Sequence, residues 1–342
     1  MGRRRSQAVP AARFRRRANR GGALLAVLWL TAALSAIAFS VANTVRAEID
    51  RASTDVDGVR SYYLAAGAID RTVLYMLWGP NEKNPDGSAR FWAQGMPRVY
   101  QRFPTGDAIV EIIPATAKMN INRATREELF RLLASIGADP GRANAITEAI
   151  IDWRQPAPGL SPLDRQYLSR VPSFRARHAS FEEIEEVLLV NGMTPELYYG
   201  GYVTDGAGRL IRRSGFRDCA DVFGSNLTYD VNAADPALLR SLGIDPGAVE
   251  QILAVRQRGP ILPNEINHVR SIAGPAAGKL SAGGNSIYSL RATGRVRLQD
   301  GRLSDMRRTV SATVKFFGQT VRPPYQVLRW YDYAPTDTVA WQ

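Results

Sequence analysis

An uncharged apolar run near the N-terminus is the strongest pattern of hydrophobic positions in the chain. Residues 21–43 read GGALLAVLWLTAALSAIAFSVAN and contain no charged side chain. In a helix, about 23 residues rising about 1.5 Å each span roughly 34 Å, more than the roughly 30 Å of a bilayer's hydrocarbon core. We therefore predict a transmembrane helix over residues 22–43.

The helical pattern continues beyond this run with a single apolar face. Apolar residues recur at steps of three and four, which is typical of an amphipathic helix packed on a globular domain. They are Val45, Ile49, Ala52, Val56, Val59, Tyr63, Ala66 and Val73. No proline intervenes before Pro80. We therefore predict that residues 44–79 continue the same helix and that Gly79-Pro80 ends it.

The period changes to the two-residue alternation of β-strands near residue 99 and again near residue 286. The first region contains AIVEII, and the second contains NSIYSLRATGRVRLQ and MRRTVSATVKFFG on either side of an Asp300-Gly301 turn, followed by PPYQVLRWYDY. Alternation around an Asp-Gly pair is typical of a hairpin. Residues 80–118 and 285–332 are therefore predicted to form one antiparallel sheet against the N-terminal helix.

The segment between these β-regions, residues 119–284, contains an internal repeat. Its strings 119–154 and 229–260 share four features in the same order. These are an Asn-bearing short strand, a helix cap, a helix that ends near a Gly-x-Asp-Pro-Gly turn and a second helix that ends in Arg. We predict an inserted α-domain built from two such units.

The helix starts within the repeat carry capping signals. Thr125 with Glu128 predicts a capping box, and Asp235-Pro236 predicts an N-cap followed by Pro at the first helical position. Two capped helices joined by a glycine-containing turn are typical of helix-hairpin-helix or SAM-like domains. The predicted fold class is α+β, with a long N-terminal helix on a small pilin-like sheet and this α-domain inserted into it.

Charge predicts how the chain is oriented in a membrane. Residues 1–21 contain no acidic residue, whereas Glu48, Asp50 and Asp55 follow the apolar run. The arginines of this leader are Arg3, Arg4, Arg5, Arg13, Arg15, Arg16, Arg17 and Arg20. Without these eight charges, the net charge of +12 falls to +4. The positive-inside rule predicts that the leader lies in the cytoplasm and that most of the chain lies on the other side of the membrane. A cleaved secretory signal is the alternative, since SAIAFSVAN contains weak versions of an A-x-A site.

These features resemble a known family. A basic leader ending in Arg-Gly, an apolar helix and its amphipathic continuation are similar to the type IV pilin-like proteins. The strings RGGALLAVLWL and RSYYLAAGAIDRTVLYML are most similar to general secretion pathway protein K, the K-type minor pseudopilin of type II secretion. The NxN-A repeats, an IxDWR segment and a terminal VLRWYDY extend the resemblance over most of the chain.

The resemblance implies a function, a location and partners. A K-type minor pseudopilin is a non-enzymatic subunit that forms the pseudopilus tip and initiates its assembly, for export of folded proteins across the outer membrane. The chain is then expected in the inner membrane as a single-pass protein, with a cytoplasmic N-terminus and a periplasmic bulk. The expected partners are the I- and J-type minor pseudopilins, the prepilin peptidase and the membrane itself.

The resemblance also implies a processing site. Prepilin peptidase cuts after a glycine, which predicts cleavage after Gly21 and an N-methylated Gly22; a cut between Gly22 and Ala23 is the alternative. The fifth mature position is then Ala26, or Val27 with the alternative cut. Most pilin-like proteins carry glutamate at this position. The K-type proteins, like this chain, lack a glutamate there.

Candidate catalytic and metal-binding chemistry is sparse. The sequence has no G-x-S-x-G motif, P-loop or Cys–His pairing, and the lone Cys219 forms no intramolecular disulfide. His178 and His268 lack ligand-like neighbours such as HxH, so we expect neither an enzyme nor a cofactor. Asp152 and Asp164 flank the loop QPAPGLSP as weak candidates for a structural Ca²⁺ site. They fall well short of the six or more oxygens that Ca²⁺ takes.

DNA binding is the alternative function. Helix-hairpin-helix units bind duplex phosphates through backbone N–H groups, and competence-type DNA-capture proteins combine such a unit with one membrane helix. The two hairpins here are GADPG at 137–141 and GIDPG at 243–247, which place Asp139 and Asp245 where a phosphate approaches. A carboxylate repels phosphate and proline lacks an N–H, so we expect no nucleic-acid partner.

Overall fold

One long helix begins the part of the chain that the structure describes. In this computed structural model the described residues are 20–79, 81–204, 206, 208–317 and 321–334. Helix α1 spans Arg20–Trp78. The prediction of one continuous helix is therefore confirmed, but the predicted apolar face is not the one that packs on the globular part. Val59 and Tyr63 are 57% and 68% exposed, whereas Leu64, Ala65, Ala68 and Ile69 are buried. Pro80, the second residue of the predicted stop, lies outside the described residues.

The other elements follow along the chain. The remaining helices are α2 (Arg126–Ser135), α3 (Pro140–Arg154), α4 (Pro162–Leu168), α5 (Pro195–Tyr199), α6 (Phe216–Cys219), α7 (Pro236–Ser241), α8 (Pro246–Arg258) and α9 (Ile266–Ala273). The strands are β1 (Arg98–Phe103), β2 (Gly106–Pro114), β3 (Met119–Asn120), β4 (Gly201–Thr204), β5 (Leu210–Arg213), β6 (Ala220–Asp221), β7 (Tyr229–Asp230), β8 (Leu280–Ser281), β9 (Ile287–Arg297), β10 (Leu303–Phe316) and β11 (Tyr325–Tyr331). Short 3₁₀ helices span Ala115–Ala117, Ile184–Leu189 and Gly274–Lys279.

The chain divides into two compact units, Met1–Val56 and Asp57–Gln342. In the first unit, every described residue from Gly22 onward is exposed. The apolar part of the helix has a mean hydropathy of 2.2, and none of it is buried against protein. By length and composition, this helix is able to cross a membrane.

In the second unit, a five-stranded antiparallel sheet packs on the C-terminal part of α1. Its strand order is β1-β2-β9-β10-β11. Ile112 of β2 lies opposite Leu290 of β9 in the ladder, and both side chains belong to the core formed with Ala65, Ile69 and Val73 of α1. The predicted antiparallel sheet against the helix is therefore confirmed.

Two contacts fix the spacing between this helix and the sheet. A Cβ atom at Gly294 of β9 would collide with the carbonyl oxygen of Ser61, so glycine permits the close approach of the two backbones. On β1, the amide of Gln101 donates to the carbonyl of Ala68 at 3.1 Å and to the hydroxyl of Thr72 at 2.7 Å. Both contacts are buried, and the hydrogen bonds offset the cost of removing these polar groups from water.

The segment between β2 and β9 has a hydrophobic core of its own. Leu129 and Leu132 of α2 pack there with Ile146 and Ile150 of α3 and with Leu238 of α7, all of them fully buried. Buried and exposed positions alternate along α2 and α3, as expected of helices packed on one face. The segment is therefore inserted into the sheet topology rather than appended to it.

The two halves of this inserted region repeat the same long-range contacts. Strand β3 pairs in parallel with β6, and β7 pairs in parallel with β8. The side chain of Asn122 exchanges hydrogen bonds of 2.8 and 2.9 Å with the backbone of Phe181. That of Asn232 exchanges bonds of 2.7 and 2.8 Å with the backbone of Ile261. The repeat visible in the sequence thus corresponds to equivalent contacts in three dimensions.

The predicted caps of the inserted region are present. Thr125 and Glu128 form the capping box at the start of α2, and Asp235 caps α7 by accepting from a backbone N–H at 2.7 Å. The turns that follow the first helix of each repeat contain Gly137 and Gly243 at φ of 92° and 90°. This left-handed conformation costs glycine little and costs other residues more.

The inserted region is not wholly helical, contrary to the prediction of an α-domain. It contains an exposed hairpin of β4 and β5, and the segment Ile184–Leu189 is a 3₁₀ helix. Strands β4 and β5 have four residues each, too few to show a two-residue period in sequence. For this reason, the pattern missed them.

Candidate functional site

The predicted processing junction lies in the first turn of α1. The helix begins at Arg20, so Gly21 is helical, and Gly22 and Ala26 are exposed along it. Residues 1–19 of the leader lie outside the described residues. The apolar surface around the junction includes Trp29, which is 76% exposed. So much uncovered apolar surface is stable only in lipid or against other proteins. Cleavage and methylation stay predictions.

The two weak calcium candidates, Asp152 and Asp164, lie close together. Ser161 connects them, because its hydroxyl donates to the Asp152 carboxylate at 2.9 Å while its backbone N–H donates to Asp164 at 3.0 Å. Asp164 is fully buried and completes a capping box with Ser161 at the start of α4. It also accepts from the backbone of Ala176 at 3.1 Å and from Arg175 at 3.2 Å.

His178 binds the same carboxylate and was not singled out by its sequence context. Its Nε2 lies 2.9 Å from an oxygen of Asp164, and its Nδ1 lies 3.0 Å from the carbonyl of Asp152 and 3.1 Å from that of Gln155. Carbonyl and carboxylate oxygens only accept, so both ring nitrogens donate. This arrangement of acceptors favours the protonated, imidazolium form of the ring. The backbone of His178 has a φ of 49°, which is strained for a residue other than glycine. The three hydrogen bonds of its side chain offset this strain.

The electrostatics of this pair agree with its geometry. Burial acts to raise the pKa of Asp164, but hydrogen bonds from His178 and from the backbones of Ser161 and Ala176 lower it to about 2. Burial acts to lower the pKa of His178, but the bonds to Asp164 and to the Asp152 carbonyl raise it above its ordinary value. The result is a buried ion pair that ties the loop between α3 and α4 to the chain around Ala176.

This arrangement favours a salt-bridged network over a cation site. The oxygens of Asp164 already accept from several donors, and a metal ion would compete with two cationic side chains. Across the described part of the chain, no group of three or more His, Cys, Asp or Glu side chains is placed to hold a metal ion. Calcium binding stays a prediction that this geometry does not favour.

The two Asp-Pro-Gly turns use their carboxylates internally. Asp139 accepts from the N–H of Arg142 at 3.0 Å at the start of α3, and Asp245 accepts from the N–H of Gly247 at 2.8 Å at the start of α8. These are the N–H groups that a phosphate would need. The turns therefore cap their helices with negative charge, and the absence of a nucleic-acid partner stays a prediction.

An arginine in the second repeat occupies a position that is aliphatic in the first. Ile150 is a core residue of α3, whereas the corresponding position of α8, thirteen residues after the turn glycine, is Arg256. Its Nε and Nη2 are buried, with no hydrogen-bond partner among the described residues. Burial lowers the pKa of Arg256 to about 10, opposed by the negative charge of Asp230. Burial likewise raises the pKa of Asp230, although four backbone N–H groups stabilise its carboxylate.

Comparison with known proteins connects this geometry to a family. Residues 110–200, from within β2 to the end of α5, match the first-domain family model of Type II secretion system (T2SS), protein K. Over this segment the chain is similar to the type II secretion K proteins. The resemblance seen in its sequence is thereby confirmed.

Two K proteins and one solved structure illustrate the relationship. The Type II secretion system protein K of Klebsiella pneumoniae is 26% identical over 203 residues, which cover 53% of this chain and 60% of that protein. The protein K of Pseudomonas aeruginosa is 24% identical over 264 residues, covering 71% of this chain and 74% of that protein. One chain of the crystal structure of the GspK-GspI-GspJ complex from enterotoxigenic Escherichia coli aligns with this chain with a TM-score of 0.49 and 16% sequence identity. The alignment covers 85% of this chain and 99% of the chain in that crystal structure.

Proposed function

We propose that this K-protein relative is a minor pseudopilin of a type II secretion system, with an assembly role rather than a catalytic one. The observation that carries the proposal is the match of residues 110–200 to protein K, because that segment contains the first repeat of the inserted region. Kinship with the K proteins supports a role at the pseudopilus tip in export of folded proteins across the outer membrane. Nothing in the comparisons favours the competence-type alternative.

The helix and leader support a specific topology. We place residues 22–43 across the inner membrane, the arginine-rich residues 1–21 in the cytoplasm and the bulk of the chain in the periplasm. The support is the exposed apolar surface of the helix and the positive charge that precedes it. On this topology, prepilin peptidase cuts after Gly21 on the cytoplasmic side, and the amine of Gly22 is then methylated.

Ala26 supports a place at the distal end of the fibre. A buried N-terminal amine is costly unless it meets a negative group. In pilin-like fibres the fifth-position glutamate of an incoming subunit supplies that group to a neighbour already in place. A subunit with Ala26 lacks it, so adding this subunit beneath others loses about 1–3 kcal/mol. The first subunit has no earlier amine to satisfy, so the same alanine costs nothing there.

The inserted region supports the same place. We take residues 119–284 as a domain of helix-hairpin-helix or SAM-like type, inserted between the pilin-like segments 80–118 and 285–332. Support comes from the repeated Asn contacts and from capped helices joined by glycine turns. An insertion of this size would clash between neighbouring subunits of a helical shaft, and it fits at a free end. The I- and J-type minor pseudopilins are the proposed neighbours at that end.

Double-label electron microscopy of pseudopilus fibres tests this proposal. Gold-labelled antibodies against the inserted region should mark each fibre once, at one end. Labels against the I- and J-type subunits should mark the same end. The major pseudopilin is the control, since its label should run along the whole shaft. Label for this chain spread along the shaft would contradict the tip assignment, and label absent from fibres altogether would contradict the pseudopilin assignment.

A further inference from the structure

A cavity of about 950 Å³ lies where the end of α1 meets the sheet and the inserted region. Its wall combines the last turn of α1, the loop between α1 and β1, the adjacent ends of β9 and β10, and the segment after α8. The side chains that these elements contribute include Met76, Trp92, Leu262, Tyr288 and Phe316. Pockets for small molecules have about 300–1,000 Å³ and are lined mainly by apolar and aromatic side chains. The cavity therefore has the size and the lining of a small-molecule site.

The floor of the cavity consists of three aromatic side chains, Trp92, Tyr288 and Phe316. The rings of Trp92 and Tyr288 meet edge to face with their centroids 6.1 Å apart, and those of Tyr288 and Phe316 do so at 5.9 Å. Trp92 and Tyr288 are only 7% and 5% exposed. Buried rings packed in this way have fixed positions. The floor is therefore formed before a ligand arrives, which lowers the entropy cost of binding.

The polar atoms of the floor already have partners within the protein. The indole N–H of Trp92 donates to the carbonyl of Met96 at 3.2 Å. The hydroxyl of Tyr288 donates to the carbonyl of Gly283 at 2.9 Å. A polar ligand group would lose its water there without meeting a free N–H or O–H, whereas hydrocarbon gains from burial without this cost. The floor therefore selects an apolar group.

The volume of the cavity favours a small molecule over one side chain of a partner protein. A cavity of about 150 Å³ is enough to hold a benzene ring. One aromatic side chain would therefore leave most of about 950 Å³ unfilled. Met76 and Met96 also line the cavity, and the unbranched methionine side chain adapts to irregular shapes. A flexible hydrocarbon chain fits such a wall.

A single charged side chain, that of Lys83, lines the cavity within the described part of the chain. Lys83 is exposed, and no ion pair or side-chain hydrogen bond involves it among the described residues. The acids of the same loop have other partners. Glu82 lies 3.7 Å from Arg90, and Asp86 accepts from the hydroxyl of Ser88 at 2.6 Å. An anionic ligand end would therefore meet a free ammonium group, and a cationic end would meet a like charge.

We propose that this cavity binds a small anionic amphiphile, whose hydrocarbon part packs on the aromatic floor and whose carboxylate pairs with Lys83. The site is independent of the pseudopilus assignment, because it depends only on the residues that line the cavity. It also goes beyond that assignment, since it names a ligand site and the chemical class of the molecule that binds there.

Photo-crosslinking of the full chain in phosphatidylcholine nanodiscs tests this ligand site. The probe is octanoate with a diazirine at the end of its hydrocarbon chain, and mass spectrometry of the digested protein locates the crosslinks. We expect crosslinks in the segments 89–96 and 316–317, which line the cavity. Unlabelled octanoate should compete for these positions. Octylammonium has the same chain and the opposite charge, and it should compete about tenfold more weakly.

Variants of the chain locate the binding. Leu262→Trp places a larger side chain in the cavity and should lower crosslinking at these segments about tenfold. Leu227→Trp is its matched control, because Leu227 is 76% exposed and does not line the cavity. Lys83→Gln should weaken competition by octanoate about two- to fivefold. Lys279→Gln, outside the cavity, should leave the competition unchanged.

Four results would overturn the proposal. Crosslinks confined to residues 22–43 would show that the probe enters only the membrane. Equal competition by octanoate and octylammonium in the unsubstituted chain would remove the role of charge. Crosslinking that is unchanged in Leu262→Trp, or equally reduced in Leu227→Trp, would place the probe elsewhere. A chain that octanoate does not label at all would assign the cavity to side chains of a partner protein instead.

Discussion

At the residue scale, the pair formed by His178 and Asp164 shows what a sequence pattern conveys and what it omits. The capping role of Asp164 is local, because Ser161 lies three positions before it. His178 reaches Asp164, Asp152 and Gln155 across 14, 26 and 23 positions. Sequence motifs are recognised from residues a few positions apart, so contacts at these separations are not visible in the sequence. The sequence therefore indicated Asp164 only as a weak calcium ligand and missed its histidine partner.

The His178–Asp164 pair predicts a specific pH dependence of stability. The lowered pKa of Asp164 means that its contribution is present above about pH 4 and is lost as the pH falls towards about 2. The raised pKa of His178 means that its contribution is present below about pH 6.5 and is lost as the pH rises through the folded-state pKa. The pair should therefore stabilise the fold most between about pH 4 and 6.5.

Urea denaturation of the full chain in detergent at a series of pH values measures this effect. Asp164→Asn should lower the free energy of unfolding by about 2 kcal/mol at pH 5 and flatten its decline towards acid. His178→Gln should flatten the decline above about pH 6.5. His268→Gln is the control, since His268 is exposed. A pH profile identical in His178→Gln and in the unsubstituted chain would contradict the ion pair.

At the element scale, the features that the sequence predicted correctly are those decided within a few residues. The capping box of Thr125 and Glu128, and the alternation around Gly301, identify a helix start and a hairpin from local chemistry alone. The pairing of Met119 with Ala220 joins strands about a hundred positions apart through two residues each. Such a pairing is decided by packing of the whole inserted region, and therefore the sequence did not show it.

The repeated asparagines make a prediction about these elements. Asn122 and Asn232 each satisfy a backbone donor and a backbone acceptor of a distant segment. Replacing either by Ala leaves both backbone groups without these partners and should lower the free energy of unfolding by about 1–3 kcal/mol. Asn264→Ala, at an exposed position, should change it by less than about 0.5 kcal/mol. Chemical denaturation compares the three variants, and an unaffected Asn232→Ala would show that the second repeat does not share the contact.

At the scale of the whole molecule, the order of elements follows from the distribution of apolar residues along the chain. An apolar run followed by an amphipathic pattern gives one helix, Arg20–Trp78. From Gly22 to Val56 its residues are exposed, and buried residues begin after that. Strand β2 before the insertion and strand β9 after it are far apart in sequence. Both lie in regions with the two-residue alternation of β-strands, and the two strands pair with each other in the sheet. The sequence thus predicted the sheet and the insertion. The exposed hairpin within the insertion was missed because its strands are short.

The central claim, that this chain is a processed pseudopilin, is tested most directly by the mass of its mature N-terminus. The chain is purified from cells that contain prepilin peptidase and from a strain that lacks it, and each N-terminal peptide is identified by mass spectrometry. N-methylated Gly22 is expected in the first case, and an uncleaved leader in the second. A Gly21→Leu variant should keep its leader in both strains. A mature chain that begins beyond the apolar run, or a leader retained in the presence of the peptidase, would contradict processing of this chain as a pseudopilin.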